Sequence, residues 1–311
     1  MELITNWEDQ HIDERPKTAF TIGVFDGLHL GHKYIIDQVI KNAAKLKAQS
    51  LVLTFEPHPL AVLAKEATPP TLTTIEHKCE LLESWGLDRL GILRFSREMA
   101  ATEPHKFLNQ YIGRFIDAAS IVLGPDFRFG KDAKGDPEAV EAWLKSVSPK
   151  ARLTIVEPKS NDDGTFSSSQ IRQDLKNGLV ESAAKALGRP YRLYGEVVHG
   201  LARGRLLGFP TANLGGIEQL IPEPGVYAVM ANIDGESYPG MTSIGYNQTF
   251  GEQPLTVETN IFGFERFIYG QKMSIDFIAR LRAMVRFKSV EQLTVQLAKD
   301  RLTAESKLTG K

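Results

Sequence analysis

Short apolar runs alternate with stretches of helical spacing through the first half of the chain. The runs predict strands at 18–25, 50–55, 89–95, 120–123 and 152–156. Between them, apolar positions recur every three or four residues over 34–46, 75–85, 105–115 and 137–147, which predicts helices. Strand–helix alternation of this kind implies a doubly wound α/β fold with a parallel sheet, and such sheets bind ligands at the carboxyl ends of their strands. The pattern changes near Gly188-Arg189-Pro190. Residues 167–188 read as one or two short helices that end at a glycine followed by a proline. After them come β-type runs at 191–198, 226–233, 255–262 and 272–277, separated by glycine-rich turns such as Ile233-Asp234-Gly235-Glu236. Short strands with little helix predict an antiparallel β-barrel, with an amphipathic C-terminal helix over 289–307 packed against it. Two domains are therefore expected, 1–187 and 188–311.

Composition narrows the possibilities more than it directs them. With 311 residues and 42% hydrophobic content, each domain can build its own core. Lys and Arg number 37 against 38 Asp and Glu, a balance that argues against a nucleic-acid or membrane-surface role. The one cysteine, Cys79, excludes an internal disulfide framework and cannot by itself make a zinc site. Neither a charged-then-apolar leader nor a membrane-length apolar run is present, so a cytoplasmic location is expected.

Chemistry concentrates in two places. In the first, Gly23-Val24-Phe25-Asp26-Gly27-Leu28-His29-Leu30-Gly31-His32 closes the first long strand and opens a helix. Free N–H groups and the positive dipole end favour anions there. Glycines allow close backbone approach, and the paired imidazoles can donate to one phosphate. Together these features describe a nucleotide-phosphate site suited to nucleotidyl transfer. Phe166-Ser167-Ser168-Ser169-Gln170-Ile171-Arg172 gathers three hydroxyls and an arginine at a second helix start, which suits a polyphosphate. A plain serine N-cap with a solvated arginine is the alternative.

The second place is Gly204-Arg205-Leu206-Leu207-Gly208-Phe209-Pro210-Thr211-Ala212-Asn213. Thr211 and Asn213 alternate, so in extended chain they share a face and offer hard oxygens to Mg²⁺ carried by ATP. The run is not a phosphate loop of the Walker type, for Gly130-Lys131-Asp132 lacks the spacing and the following hydroxyl. The protein-kinase motif set is absent as well. By pattern alone a glycine-bounded strand and turn is the stronger reading.

These residues resemble a known family. The histidine turn is similar to the H-x-G-H motif of the nucleotidylyltransferase superfamily, and the serine–arginine run to its S-S-T-x-I-R signature. Thr54-Phe55-Glu56-Pro57-His58-Pro59 and Gly124-Pro125-Asp126-Phe127-Arg128-Phe129-Gly130 resemble segments of the prokaryotic bifunctional riboflavin kinase/FAD synthetases, and Gly204 to Asn213 matches their kinase motif without a gap. The resemblance covers nearly the whole chain in the right order. It implies a nucleotidylyltransferase-like sheet domain that adenylylates FMN with ATP, giving FAD and pyrophosphate. It implies a barrel domain that phosphorylates riboflavin with ATP, giving FMN. Mg²⁺ serves both, and small molecules are the only partners expected.

The same resemblance assigns roles. His29 and His32 contact the reacting phosphates; Gly23, Phe25, Asp26 and Gly27 line the ATP site; Ser168, Ser169 and Arg172 hold the leaving pyrophosphate. Asp126 and Phe127 border the nucleotide and flavin pocket. In the kinase half, Gly204, Arg205, Gly208, Phe209 and Pro210 bind ATP, Thr211 and Asn213 the metal. Glu258, in Val257-Glu258-Thr259-Asn260, is the base for the ribityl hydroxyl, and Arg282 lies near the flavin. Two departures fall in this half. Asn260 stands where the family usually has histidine, and Gln248 where it usually has proline. They motivate one alternative, an FMN adenylyltransferase with a decayed kinase half. A flavin-sensing regulator without turnover, or adenylylation of another acceptor, are the remaining rivals; the histidines, hydroxyls and base weigh against the first, the second half against the other.

Overall fold

The apolar runs of the first half pair as parallel strands. The computed structural model describes residues 1–157, 160, 161, 164–200, 208–246 and 255–309. They divide into two units, Met1–Pro69 with Ile75–Phe166, and Pro70–Thr74 with Ser167–Lys311. The first unit holds β1 (Glu2–Ile4), β2 (Lys17–Ile22), β3 (Gln49–Glu56), β4 (Arg89–Arg94), β5 (Asp117–Leu123) and β6 (Arg152–Ile155). Their spatial order is β1-β4-β3-β2-β5-β6, and every neighbouring pair is parallel. Parallel neighbours need crossovers, and α1 (Leu30–Leu46), α2 (Ile75–Ser84) and α3 (Pro137–Val147) lie on those connections. A two-stranded pair, β7 (Ser160–Asn161) and β8 (Gly164–Thr165), follows the sheet.

Strand β2 is buried from Thr18 to Ile22, as a central strand covered on both faces should be. One face packs Phe20, Leu51, Leu53 and Ile121 against Trp7, Phe115 and Trp143; the other sets Val52 and Leu90 against Phe25, Leu28 and Ile36. Because β3 flanks β2 on one side and β5 on the other, strand order reverses at β2. The crevice beyond its carboxyl end is where such sheets bind ligands. The helix expected at 105–115 is present over 104–113, starting as the α-helical turn Pro104–Phe107 and widening to π-helical winding over Leu108–Gly113. That widened turn carries Asn109, whose Oδ1 accepts from Trp143 Nε1 at 2.8 Å.

In the second unit α4 (Ser168–Lys176) and α5 (Val180–Leu187) precede a closed antiparallel barrel. Its strands are β9 (Tyr191–Val198), β10 (Ala212–Gly215), β11 (Gly225–Ile233), β12 (Glu236–Tyr246), β13 (Leu255–Ile261) and β14 (Lys272–Ala283). Ile171, Leu175, Val180, Ala183 and Leu187 enter the same core as Tyr191, Tyr227 and Phe277. Packing therefore groups α4 and α5 with the barrel, although the expected functional boundary follows them at 187/188. The segment Pro70–Thr74 joins this unit through Leu72, which enters that core and whose carbonyl accepts from Gln219 Nε2 at 3.2 Å. The terminal helix, α6 (Val290–Thr309), brings Ala304 onto Ala228, Met241 and Phe262. Strand β12 has no clear pattern in sequence because Pro239, Gly240 and Gly245 read as turn residues. Gly240 is there for room: a Cβ would come within 2.7 Å of the Asn260 carbonyl oxygen on the paired strand.

Candidate active sites

Strand β2 stops at Ile22 rather than at 25 because the chain turns sharply. Phe25, Gly27 and Leu28 have φ of +49°, +82° and +42°. For the two non-glycines such a conformation costs on the order of 1–3 kcal/mol each. Burying a large apolar side chain returns about the same amount, and both side chains are buried in the core beside Ile36 and Leu90. The strained turn is thus held by its own hydrophobic residues. Phe25 contributes through that packing and through its ring edge, which meets His32 with centroids 5.2 Å apart.

At the helix start His29 is the N-cap of α1, its Nδ1 accepting the His32 backbone N–H at 3.3 Å. A capping Nδ1 carries no proton, so neutral His29 bears its hydrogen on Nε2 and is a donor there. The two imidazoles are stacked, 3.7 Å between centroids and 20° between planes. Gly31 makes room for this arrangement, since a Cβ would sit 3.1 Å from the His29 ring. Asp26 is buried in the same turn. Gly124 to Gly130 follows the carboxyl end of β5, with Asp126 exposed and Phe127 stacked on Phe129 at 5.3 Å.

Sequence reasoning passed over Lys78. This buried lysine on α2 donates to the Val24 carbonyl at 2.9 Å and to Thr54 Oγ1 at 3.1 Å. Burial pushes its ammonium below the usual lysine range, and the charges of Asp26 and Glu56 oppose that fall. The signal was present: Lys78 and Leu82, four residues apart, share the buried stripe of the helix.

In the second unit, Ser167 caps α4 by accepting from the Gln170 N–H at 3.2 Å. Ser168 and Ser169 form its first turn, and Arg172 Nε donates to the Pro70 carbonyl at 2.8 Å.

The barrel assembles the other candidate site from neighbouring strands. In the β10–β13 ladder Asn213 stands opposite Glu258, and Thr211 Oγ1 approaches Glu258 Oε2 at 3.4 Å. Three oxygen-bearing side chains thus gather on one strip, which alternation along a strand requires. Gly200 presses on it: a Cβ there would lie 2.1 Å from the Asn213 amide nitrogen. Asn260, buried next along β13, donates from Nδ2 to the Pro210 carbonyl at 2.6 Å. The departure at this position therefore retains a side chain that ties down the loop before Thr211. A cavity of about 380 Å³ opens beside these residues, lined by Pro210, Thr211, Thr259, Phe264, Ile268 and Tyr269. Tyr269 stacks on His199 with centroids 4.0 Å apart.

Other expected residues fall elsewhere. Phe209 packs with Met241, Phe262 and Ala304, and exposed Gly208 has φ +80°. Gly204, Arg205 and Gln248 lie outside the described residues. Arg282 is held by Asp300 of α6, Nη2 to Oδ2 at 2.7 Å and Nε at 3.1 and 3.0 Å to the two oxygens. Among the described residues no group of three or more His, Cys, Asp or Glu is disposed to hold a metal. The donors at hand, a hydroxyl, an amide and a carboxylate, instead suit a cation that arrives with a nucleotide. No helix among the described residues is long and apolar enough to cross a membrane.

Comparison with known proteins accounts for both halves. The FAD synthetase family model matches residues 11–170, and the riboflavin kinase model matches 187–308. A bifunctional riboflavin kinase/FMN adenylyltransferase of Bacillus subtilis (strain 168) is 39% identical over 94% of this chain and 93% of its own length. The protein of the same description from Escherichia coli (strain K12) is 31% identical over 92% and 91%. A crystal structure described as a macrolide-efflux protein from Streptococcus pneumoniae superposes with a TM-score of 0.86 at 33% identity, covering 98% of this chain and 99% of that one.

Proposed function

The chain belongs to the bifunctional riboflavin kinase/FMN adenylyltransferase family, and from that premise we propose how its residues divide the work. The enzyme phosphorylates riboflavin to FMN and adenylylates FMN to FAD, with ATP as donor in both reactions. The alternative with only an adenylyltransferase gains no support, since a kinase model covers the second half.

Adenylyl transfer belongs to the 1–187 portion. The observation that carries this assignment is the capped, stacked histidine pair at the switch point of the sheet. A phosphate oxygen of FMN attacks the α-phosphorus of ATP and pyrophosphate leaves, so no protein nucleophile is needed. His29 donates from Nε2 to the charge that develops, with His32 beside it and the N–H groups of the α1 start behind. Gly23, Phe25, Asp26 and Gly27 shape the phosphate path. Ser168, Ser169 and Arg172 provide anion-binding groups for pyrophosphate, and Asp126 and Phe127 border the nucleotide and flavin.

Phosphoryl transfer belongs to 188–311. Glu258 accepts the proton of the ribityl 5′-hydroxyl as that oxygen attacks the γ-phosphorus of ATP, the bond to the β,γ-bridging oxygen breaks and ADP leaves. Thr211 and Asn213 hold Mg²⁺, which supplies charge neutralisation for the phosphates when bound. Gly208 and Pro210, with Gly204 and Arg205, serve the nucleotide. The reading places the enzyme in the cytoplasm, acting on small molecules without a nucleic-acid partner.

The test is chromatographic. Protein, riboflavin and ATP with excess Mg²⁺ should yield FMN and then FAD, and excess EDTA should stop both. Glu258→Gln should lose FMN formation by about 10²–10⁴-fold while still converting supplied FMN to FAD. Undiminished FMN formation by that variant would remove Glu258 from the mechanism.

A further inference from the structure

The histidine turn contains two non-glycine residues in left-handed backbone, Phe25 and Leu28, and their burial explains why the strain is tolerated. Burial alone leaves the preceding peptide free to rotate. That peptide is fixed from behind. The Val24 carbonyl accepts from Thr54 Oγ1 at 2.9 Å and from Lys78 Nζ at 2.9 Å, and Lys78 also donates to Thr54 Oγ1 at 3.1 Å. Thr54 is fully buried and Lys78 almost so, each on a separate element, β3 and α2. The three groups close a triangle that locks the turn to the sheet and to a crossover helix at once. Retaining a buried ammonium for packing alone would be wasteful, because an apolar side chain of that length would fill the space without the desolvation cost.

We propose that Lys78 is a positioning residue for adenylyl transfer: its ammonium touches no substrate but holds the Val24 carbonyl, and through the turn sets the place of His29. This rests on the reading of the histidine turn as the adenylyl-transfer site. Burial weakens the hold of Lys78 on its proton, and the charge of the Asp26 carboxylate, in the turn itself, acts in the opposite sense.

The experiment compares Lys78→Met and Thr54→Val with the unaltered chain, and includes His29→Ala. FAD synthesis from FMN is resolved into kcat and KM, riboflavin phosphorylation serves as an internal control, and imidazole ¹⁵N NMR reports the His29 tautomer. Lys78→Met should lower the adenylyltransferase kcat by about 10²-fold, the effect of displacing a reacting group by about 1 Å. KM for ATP and FMN should change little, the kinase rate should be unaltered, and the Nε2–H signature of His29 should be lost. Thr54→Val, nearly isosteric, should move kcat and the signature the same way by a smaller factor, and it keeps the test decisive if Lys78→Met fails to fold. An unchanged tautomer with kcat within twofold in both variants would overturn the proposal. So would equal loss of both activities in Lys78→Met with Thr54→Val silent, since that marks a folding role. If His29→Ala itself makes FAD at the normal rate, it is the reading of the histidine site that fails.

Discussion

Removing Asp300 should loosen the C-terminal helix from the barrel. Its carboxylate accepts from Arg282 Nε and Nη2 and from Gln296 Nε2 at 2.8 Å. The two side chains are 4% and 18% exposed, so Asp300→Ala strands a guanidinium away from water. Breaking one partner of a buried pair costs roughly 3–5 kcal/mol. For a unit of this size each kcal/mol moves the midpoint by about 2–4 °C, so thermal unfolding followed by circular dichroism should shift down by roughly 10 °C. Arg282→Met combined with Asp300→Leu should recover most of the loss, because paired apolar replacements are close to neutral. A shift below about 2 °C in Asp300→Ala, or a double variant no more stable than the single one, would refute the reasoning. The double variant also separates two roles for Arg282. Retained riboflavin kinase activity would mean that the arginine anchors α6, and loss of kinase in a stable protein would place it at the flavin.

Two further outcomes follow from local geometry. Gly200→Ala should push the Asn213 amide off its present position, given the 2.1 Å approach, and reduce kinase activity by about 10²-fold while FAD synthesis from FMN is retained; kinase within twofold of normal would contradict this. Burial, and after it Glu76, raises the Cys79 thiol above its usual range. Less thiolate is then present at neutral pH than in a free cysteine, so iodoacetamide should label Cys79 more slowly than it labels a cysteine peptide at pH 7.5, with the rate climbing as pH rises; equal rates at neutral pH would be the contrary result.

The alternation of apolar runs was enough to read the parallel sheet, because strands buried on both faces leave mostly apolar stretches, interrupted only by threonine, such as 18–22 and 51–55. Barrel strands were less legible where local chemistry conflicts with long-range pairing. Strand β12 carries Pro239 and two glycines, and β14 runs six residues past 277 because Arg280 and Arg282 find partners that no local pattern reveals. The motif residues were visible as motifs. Their relations were not: the Nδ1 cap of His29, the Asn260 bond to Pro210 and the Lys78 triangle all join residues through three-dimensional contacts. Lys78 illustrates the limit well, since its place on the buried stripe of α2 was readable but its target, a carbonyl 54 residues away, was not.

One measurement bears most directly on the claim that two separate stations share this chain. The double variant His29→Ala/His32→Ala, given riboflavin, ATP and Mg²⁺, should accumulate FMN at the normal rate and form no FAD, as read by separation of the flavins. FAD at the normal rate, or the absence of FMN from a folded protein, would contradict the account.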